Sequence, residues 1–196
     1  MISEGIIKYN CIFTQADFVV NDEILFRFND CRKVLSERKW IGEYAEGLGF
    51  GNISIRTEKG FFITGSGTGG FTVLTKEHIA WVTKCDVDSN TVWCKGPLQA
   101  SSESMTHSAL YAMDPEIKAV IHIHDLKLWD NLAGKVPETS EKIEYETPEM
   151  AHEMERLYVQ TNVKNEKIIR MAGHSEGIFV FSSDLNEALK ILFRYK

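Results

Sequence analysis

The chain has 196 residues, 43% of them hydrophobic and 26% charged, with a net charge of −6. That length suits one domain with a core of useful size, and the acidic balance excludes a general polyanion binder, so no nucleic-acid partner is expected. No apolar run reaches membrane-spanning length and Met1–Asn10 lacks the basic start of a leader, so a cytoplasmic protein without a membrane partner is expected.

Met1–Val20 carries only weak periodicity and is left unassigned. Asn21 or Asp22 caps a predicted helix to about Lys39, with Ile24, Leu25, Phe28, Cys31 and Leu35 as its apolar stripe. Gly42–Gly51 reads as a loop. Gly51–Arg56 alternates like a half-buried strand, Glu58-Lys59-Gly60 turns the chain, and Phe61–Thr64 returns. A glycine-rich loop, Gly65–Gly70, follows. Thr75 caps a short helix, Lys76–Ile79, and Trp81–Asp86 with Thr91–Lys95 forms a second hairpin. Ser101–Asp125 predicts a helix carrying Glu103 and His107, then a buried strand carrying His122 and His124. Leu126–Ala133 is a short helix ending at Gly134, and Val136–Ile143 is loop-like. Thr147-Pro148-Glu149 starts a helix to Gln160 that buries Met150, Met154, Leu157 and Tyr158. Ile168–Met171 and Ile178–Phe181 read as buried strands around Gly173–Gly177, and Ser183 caps a last helix, Asp184–Tyr195. Hairpin strands with helices between and after them argue for a mixed or antiparallel sheet under helical cover, in a single domain over residues 1–196.

Alternate strand residues share a side, so His122 and His124 point one way and Ile121 and Ile123 the other. Taken alone, two histidines on an apolar strand read slightly better as hydrogen-bonded core residues or chance than as metal ligands. Buried imidazoles need partners, however, and a shared divalent metal would satisfy both. A catalytic zinc takes three protein ligands and keeps one position open. His174, on a glycine-flanked loop, is the first candidate for the third, with Glu176 in the same loop as the alternative; His78, His107 and His152 fall on predicted helices and read as structural or exposed. Glu103 at a helix start is explained by the helix dipole alone. Beside a metal it could also take a proton from a carbon whose oxygen the metal holds, leaving a metal-stabilised enediolate. Gly65–Gly70 matches a dinucleotide fingerprint by letter, but no helix follows directly, and that reading is rejected. The loop, Asn52 after Gly51, and Ser101 with Ser102 at a helix start could together cradle a phosphate, although each also belongs in an ordinary turn. The four cysteines, Cys11, Cys31, Cys85 and Cys94, lack C-x-x-C spacing and read as reduced thiols, which disfavours both a thiolate zinc site and a Cys85–Cys94 disulfide.

Taken in order, Gly51–Arg56, Ile63–Thr68, Leu74-Thr75, Ser101-Ser102-Glu103, His107, Ile121–His124 and Gly173-His174 with Gly177-Ile178 resemble the class II aldolase/adducin family over roughly Gly47 to the C-terminus. The resemblance implies a single α/β/α sandwich domain with a central, mainly antiparallel sheet. It implies a cyclic homotetramer with active sites between subunits. His122, His124 and a third histidine would hold one zinc per subunit, another divalent metal being an alternative. Glu103 would be the acid/base, and Gly51, Asn52, Ser66, Gly67, Ser101 and Ser102 would bind the phosphate of a small phosphorylated sugar.

The chain departs from the family pattern in three ways. Glu176, not a histidine, directly precedes Gly177, and His174 fits only with two residues inserted. The segment from His124 to Thr147 is short, and no tyrosine is assigned to the aldehyde half of a substrate. The chain ends at Lys196, so the substrate-covering tail of the aldolases is expected to be absent. The reading that follows is a zinc-dependent aldolase-type lyase. The alternatives are a zinc-dependent sugar-phosphate dehydratase of the methylthioribulose-phosphate kind, or a non-catalytic adducin-like binding module, against which Glu103, His122 and His124 argue.

Overall fold

The computed structural model describes residues 5–17 and 20–196; Met1–Glu4, Phe18 and Val19, part of the unassigned N-terminal stretch, lie outside the described residues. One eight-stranded sheet runs through the molecule. Its strands are β1 (Asn10–Gln15), β4 (Asn52–Arg56), β5 (Phe61–Thr64), β6 (Ile79–Asp86), β7 (Thr91–Gly96), β8 (Ala119–His124), β9 (Ile168–Arg170) and β10 (Gly177–Ser182), while β2 (Gly42–Glu43) and β3 (Gly49–Phe50) form a separate small hairpin. The order across the sheet is β1-β7-β6-β5-β4-β8-β10-β9. Among the described strands, β1 alone pairs in parallel, along β7, and the other strand pairs are antiparallel.

Helices cover both faces. α2 (Ser104–Met113) and α4 (Pro148–Gln160) lie on one, and α1 (Asp22–Glu37), α3 (Leu126–Leu132) and α6 (Leu185–Arg194) on the other, with the short α5 (Val163–Glu166) leading into β9. Strand alternation divides the core accordingly. Val120, Phe179 and Phe181 pack with α2 and α4, whereas Ile121, Ile123, Ile178 and Val180 pack with α1, α3 and α6. The fold is therefore the expected three-layer α/β arrangement with a mainly antiparallel sheet. Among the described residues, no helix is long and apolar enough to cross a membrane.

The helix starts follow local chemistry. The Asn21 side chain accepts from the Ile24 N–H at 2.8 Å, and Thr147 accepts from Met150 at 3.3 Å with Pro148 next in the chain. The last helix is capped one residue later than expected: Asp184, not Ser183, accepts from the Glu187 N–H at 2.9 Å. β1 and α5 carry no sequence signal. β1 is an edge strand with mostly exposed or half-buried side chains, so alternation is weak, and α5 is a single turn. The Gly42–Gly51 loop contains the β2–β3 hairpin.

Two registers position the site. Asn52 on β4 stands opposite His122 on β8, and His124 stands opposite Gly177 on β10. Cross-strand partners share a face, so Asn52, His122, His124 and the turn before Gly177 meet on the α2 side.

Candidate metal centre and anion cradle

His122 and His124 end β8, and His174 reaches them from the turn between β9 and β10. The ligand atoms of the three histidines lie within 4.8 Å of one another, and all three residues are buried. His122 Nε2 and His124 Nε2 are 3.0 Å apart. His122 Nδ1 sits 3.2 Å from the Ile178 carbonyl, which only accepts, so Nδ1 carries the hydrogen and Nε2 offers its lone pair to the cluster. Burial, then the neighbouring His124 and His174, push the His122 pKa well below the usual imidazole range, so the ring is neutral. Buried, convergent imidazoles fit a divalent cation of the zinc type.

Packing around the cluster is aromatic. Phe179 stacks on His122 at 4.4 Å between centroids, and Tyr145 stacks on His174 at 3.9 Å. Lys8 Nζ lies 4.3 Å from the Tyr145 ring centroid and bonds Glu144 at 2.7 Å, and the Gly5 N–H donates to Glu146. The N-terminal segment thus clamps the Glu144–Glu146 stretch that backs His174. Two glycines admit the turn. A Cβ at Gly177 would meet His174 Nδ1 at 2.8 Å, and one at Gly173 would meet the Ile143 carbonyl oxygen at 2.7 Å.

The six residues expected to bind phosphate, Gly51, Asn52, Ser66, Gly67, Ser101 and Ser102, line one small cavity, joined there by Gly5, Gly49, Gly65, Thr68 and Gly69. Its donors differ in part from expectation. The Ser66 N–H is used by the Gln99 carbonyl at 3.0 Å and the Thr68 N–H by Gly65 at 3.3 Å. The serine hydroxyls and the Asn52 amide are the polar side chains left to meet an anion. Asn52 is set from behind. His107 Nε2 donates to Asn52 Oδ1 at 2.5 Å, Ser54 Oγ donates to His107 Nδ1 at 2.7 Å, and the Tyr111 hydroxyl donates to Ser54 at 2.7 Å. With its oxygen engaged, Asn52 has its NH₂ group to offer the cavity.

The glycine loop is held by Arg32, a buried α1 residue. Its Nη2 donates to the Thr68 and Gly69 carbonyls at 2.6 and 2.7 Å, and its Nε donates to the Phe71 carbonyl. Burial lowers its pKa to about 10, which leaves it cationic at neutral pH. Arg32→Met removes a charged donor from three carbonyls and is expected to cost about 3 kcal/mol of stability, read by urea denaturation. Inorganic phosphate should then bind the folded variant more weakly.

Residues 38–195 match the class II aldolase and adducin N-terminal domain family. The chain belongs to this family. Among curated proteins, it is 29% identical over 106 residues to a methylthioribulose-1-phosphate dehydratase from Pseudoalteromonas translucida (strain TAC 125), a match covering 54% of this chain and 45% of that protein. The match thus spans less than half of the relative's length. Among solved structures, L-fuculose-1-phosphate aldolase from Thermus thermophilus superposes with a TM-score of 0.63 at 21% identity, covering 89% of this chain and 90% of that one. A sugar-phosphate aldolase from Thermotoga maritima gives 0.59 at 16% identity, over 88% and 94%. At these identities the two structures speak for the class II aldolase fold.

Within this class II aldolase domain, Glu103 is buried at the N-cap of α2, where its Oε2 accepts from the Thr106 hydroxyl at 2.6 Å. Glu103 and His107 are one turn apart on the same helix face. His107 contacts Asn52 and stands edge-on to Phe179, the ring stacked on His122, so this face of α2 looks toward the cluster. His107 is buried and is not a member of the histidine cluster. His78 is partly exposed and His152 is half-exposed at the surface, both away from the cluster. The four cysteines are free thiols, with Cys11 and Cys94 sulfurs 3.7 Å apart. Arg32, Tyr44 and Tyr145 were not anticipated. An aromatic residue inside a glycine-rich or polar loop was the available signal for the tyrosines; Arg32 had none beyond following Cys31 on the apolar stripe.

Burial depresses the His107 pKa to about 3. Between that value and the unfolded pKa near 6.5, the unfolded chain binds a proton that the folded chain refuses. Stability from this group is complete above about pH 6.5 and falls as pH drops. Unfolding of the wild type should lose on the order of 1 kcal/mol more than His107→Gln does between pH 6.5 and 5.5.

Proposed function

We propose that the chain is a zinc-dependent aldolase-type lyase that cleaves or forms a C–C bond in a small phosphorylated sugar. The observation that carries this reading is the convergence of three buried imidazoles beside a hydroxyl-and-amide cavity, with Glu103 on the neighbouring helix face. Asn52, Ser66, Ser101 and Ser102 hold the phosphate, with Gly51 and Gly67 shaping the turns, and orient the adjoining carbons toward Glu103. In the condensing direction Glu103 takes a proton from the carbon next to the carbonyl, leaving an enediolate. In cleavage the hydroxyl that becomes the aldehyde gives up its proton to solvent as the C–C bond breaks, the same enediolate is left, and Glu103 then returns a proton to its carbon. Zinc held by His122, His124 and His174 would supply Lewis-acid stabilisation of the enediolate charge. The chain acts as one domain of a cytoplasmic protein, and from the family resemblance it assembles as a homotetramer with active sites between subunits.

A panel of ketose 1-phosphates, assayed with and without chelator, tests this. Chelator-sensitive release of dihydroxyacetone phosphate is expected, and its absence across the panel would sink the aldolase reading. The 29% identity to a dehydratase favours one second reading. There the same carboxylate removes a proton and a β-hydroxyl leaves as water, so the product is 18 mass units lighter than the substrate (roughly one water, with no carbon fragment).

A further inference from the structure

Glu176 directly precedes Gly177, yet its carboxylate is not part of the histidine cluster. It accepts instead from the Tyr44 hydroxyl at 3.2 Å, and the same hydroxyl oxygen lies 2.8 Å from His124 Nδ1. A phenol has one hydrogen. With that hydrogen given to the carboxylate, the oxygen accepts, and His124 Nδ1 must be the donor. His124 then presents its Nε2 lone pair to the cluster, as His122 does under the Ile178 carbonyl.

The β2–β3 hairpin brings Tyr44 to this place. Its N–H donates to the Leu48 carbonyl at 2.8 Å, and its ring packs on Phe50 at 4.5 Å, which in turn stacks on His124 at 5.3 Å. The contact is thus built from three separate parts of the chain. Carboxylate partners behind a metal-binding histidine commonly set its tautomer and orientation. Here a tyrosine is interposed.

We propose that Glu176 and Tyr44 form an outer relay that fixes His124 as an Nε2 donor, with Tyr44 a positioning residue of the metal centre and Glu176 acting only through it. The inference rests on the metal-binding reading above.

Zinc affinity of the full chain, measured by competition with a chromogenic chelator, tests it. Tyr44→Phe is expected to weaken zinc binding about 10- to 100-fold. Glu176→Gln keeps an acceptor for the phenol, so its loss should be smaller. The double variant should bind no worse than Tyr44→Phe alone, because the proposed relay routes the Glu176 carboxylate through the Tyr44 hydroxyl. Cobalt-substituted Tyr44→Phe should keep the visible absorption intensity of a tetrahedral site, since the three imidazoles remain. If Tyr44→Phe fails to fold when metal-free, Glu176→Ala carries the test and must weaken zinc without removing it.

Tyr44→Phe affinity within twofold of wild type, or additive losses in the double variant, would overturn the relay. So would Glu176→Gln losing zinc as completely as His122→Ala, which makes Glu176 a ligand. Wild-type protein that takes up no zinc defeats the proposed function as well; wild type that binds zinc with insensitive variants defeats the relay alone.

Discussion

His122→Ala is expected to lose zinc on purification and to bind added zinc on the order of 100- to 1,000-fold more weakly than wild type. Metal affinity in all-protein sites amounts to about 10–16 kcal/mol. Divided among three or four donors, one ligand accounts for about 3–4 kcal/mol, or two to three decades. His122 is the residue most enclosed by the centre. It lies 3.0 Å from His124, stacks on Phe179, and is turned by the Ile178 carbonyl. His174→Ala should give a loss of the same order, because its ring completes the cluster. Metal analysis of the purified proteins and zinc titration supply the check. If His122→Ala loses zinc and His174→Ala keeps it, the third ligand is Glu176 or another group. A wild type that neither contains nor takes up zinc would favour a non-catalytic binding domain.

Glu103→Gln is expected to retain zinc and lose about 10²–10⁴-fold in turnover. That is the range for removing a general acid/base. Glutamine keeps the size of the side chain and an acceptor for the Thr106 hydroxyl, so α2 should start as before. The substitution leaves the histidine cluster intact, since Glu103 is not one of its members. The diagnostic measurement is exchange of the substrate proton with solvent deuterium, which should fall with turnover. A variant that exchanges as fast as wild type would remove Glu103 from the proton-transfer role, whatever its effect on cleavage.

The parts of the site that were legible in the sequence are those carried by local periodicity. His122 and His124 share a side because strand residues alternate, and Ile121 and Ile123 mark the strand as buried. The hydroxyl pair Ser101-Ser102 precedes a helix whose apolar spacing is visible, so its place at a helix start could be read. α4 shows the same clarity: the Thr147-Pro148 start and the buried Met150, Met154 and Leu157 all follow from cap and period.

What failed to register has no local pattern. β1 is too exposed to alternate clearly. Arg32 occupies a position on α1 that reads as polar surface, and its burial depends on the Gly65–Phe71 segment closing over it. Tyr145 lies between the loop-like Val136–Ile143 and the Thr147 helix start, and its stacking on His174 depends on two segments distant in sequence meeting.

Alternation, capping and turn chemistry within a few residues determined an antiparallel or mixed sheet under helical cover and the paired histidines of β8, while the three-layer arrangement and the full set of residues at the candidate anion cradle came from the resemblance to the class II aldolase/adducin family. Only the tertiary structure decided what completes the cluster. Gly177 opposite His124 leaves space for the His174 ring, and Tyr145 covers it. The same packing turns Glu176 toward Tyr44. Both candidates for a third ligand sit two residues apart on one turn, and nothing in their spacing separates them. Their difference lies in which neighbour each side chain meets once β9 and β10 pair and the β2–β3 hairpin folds against them.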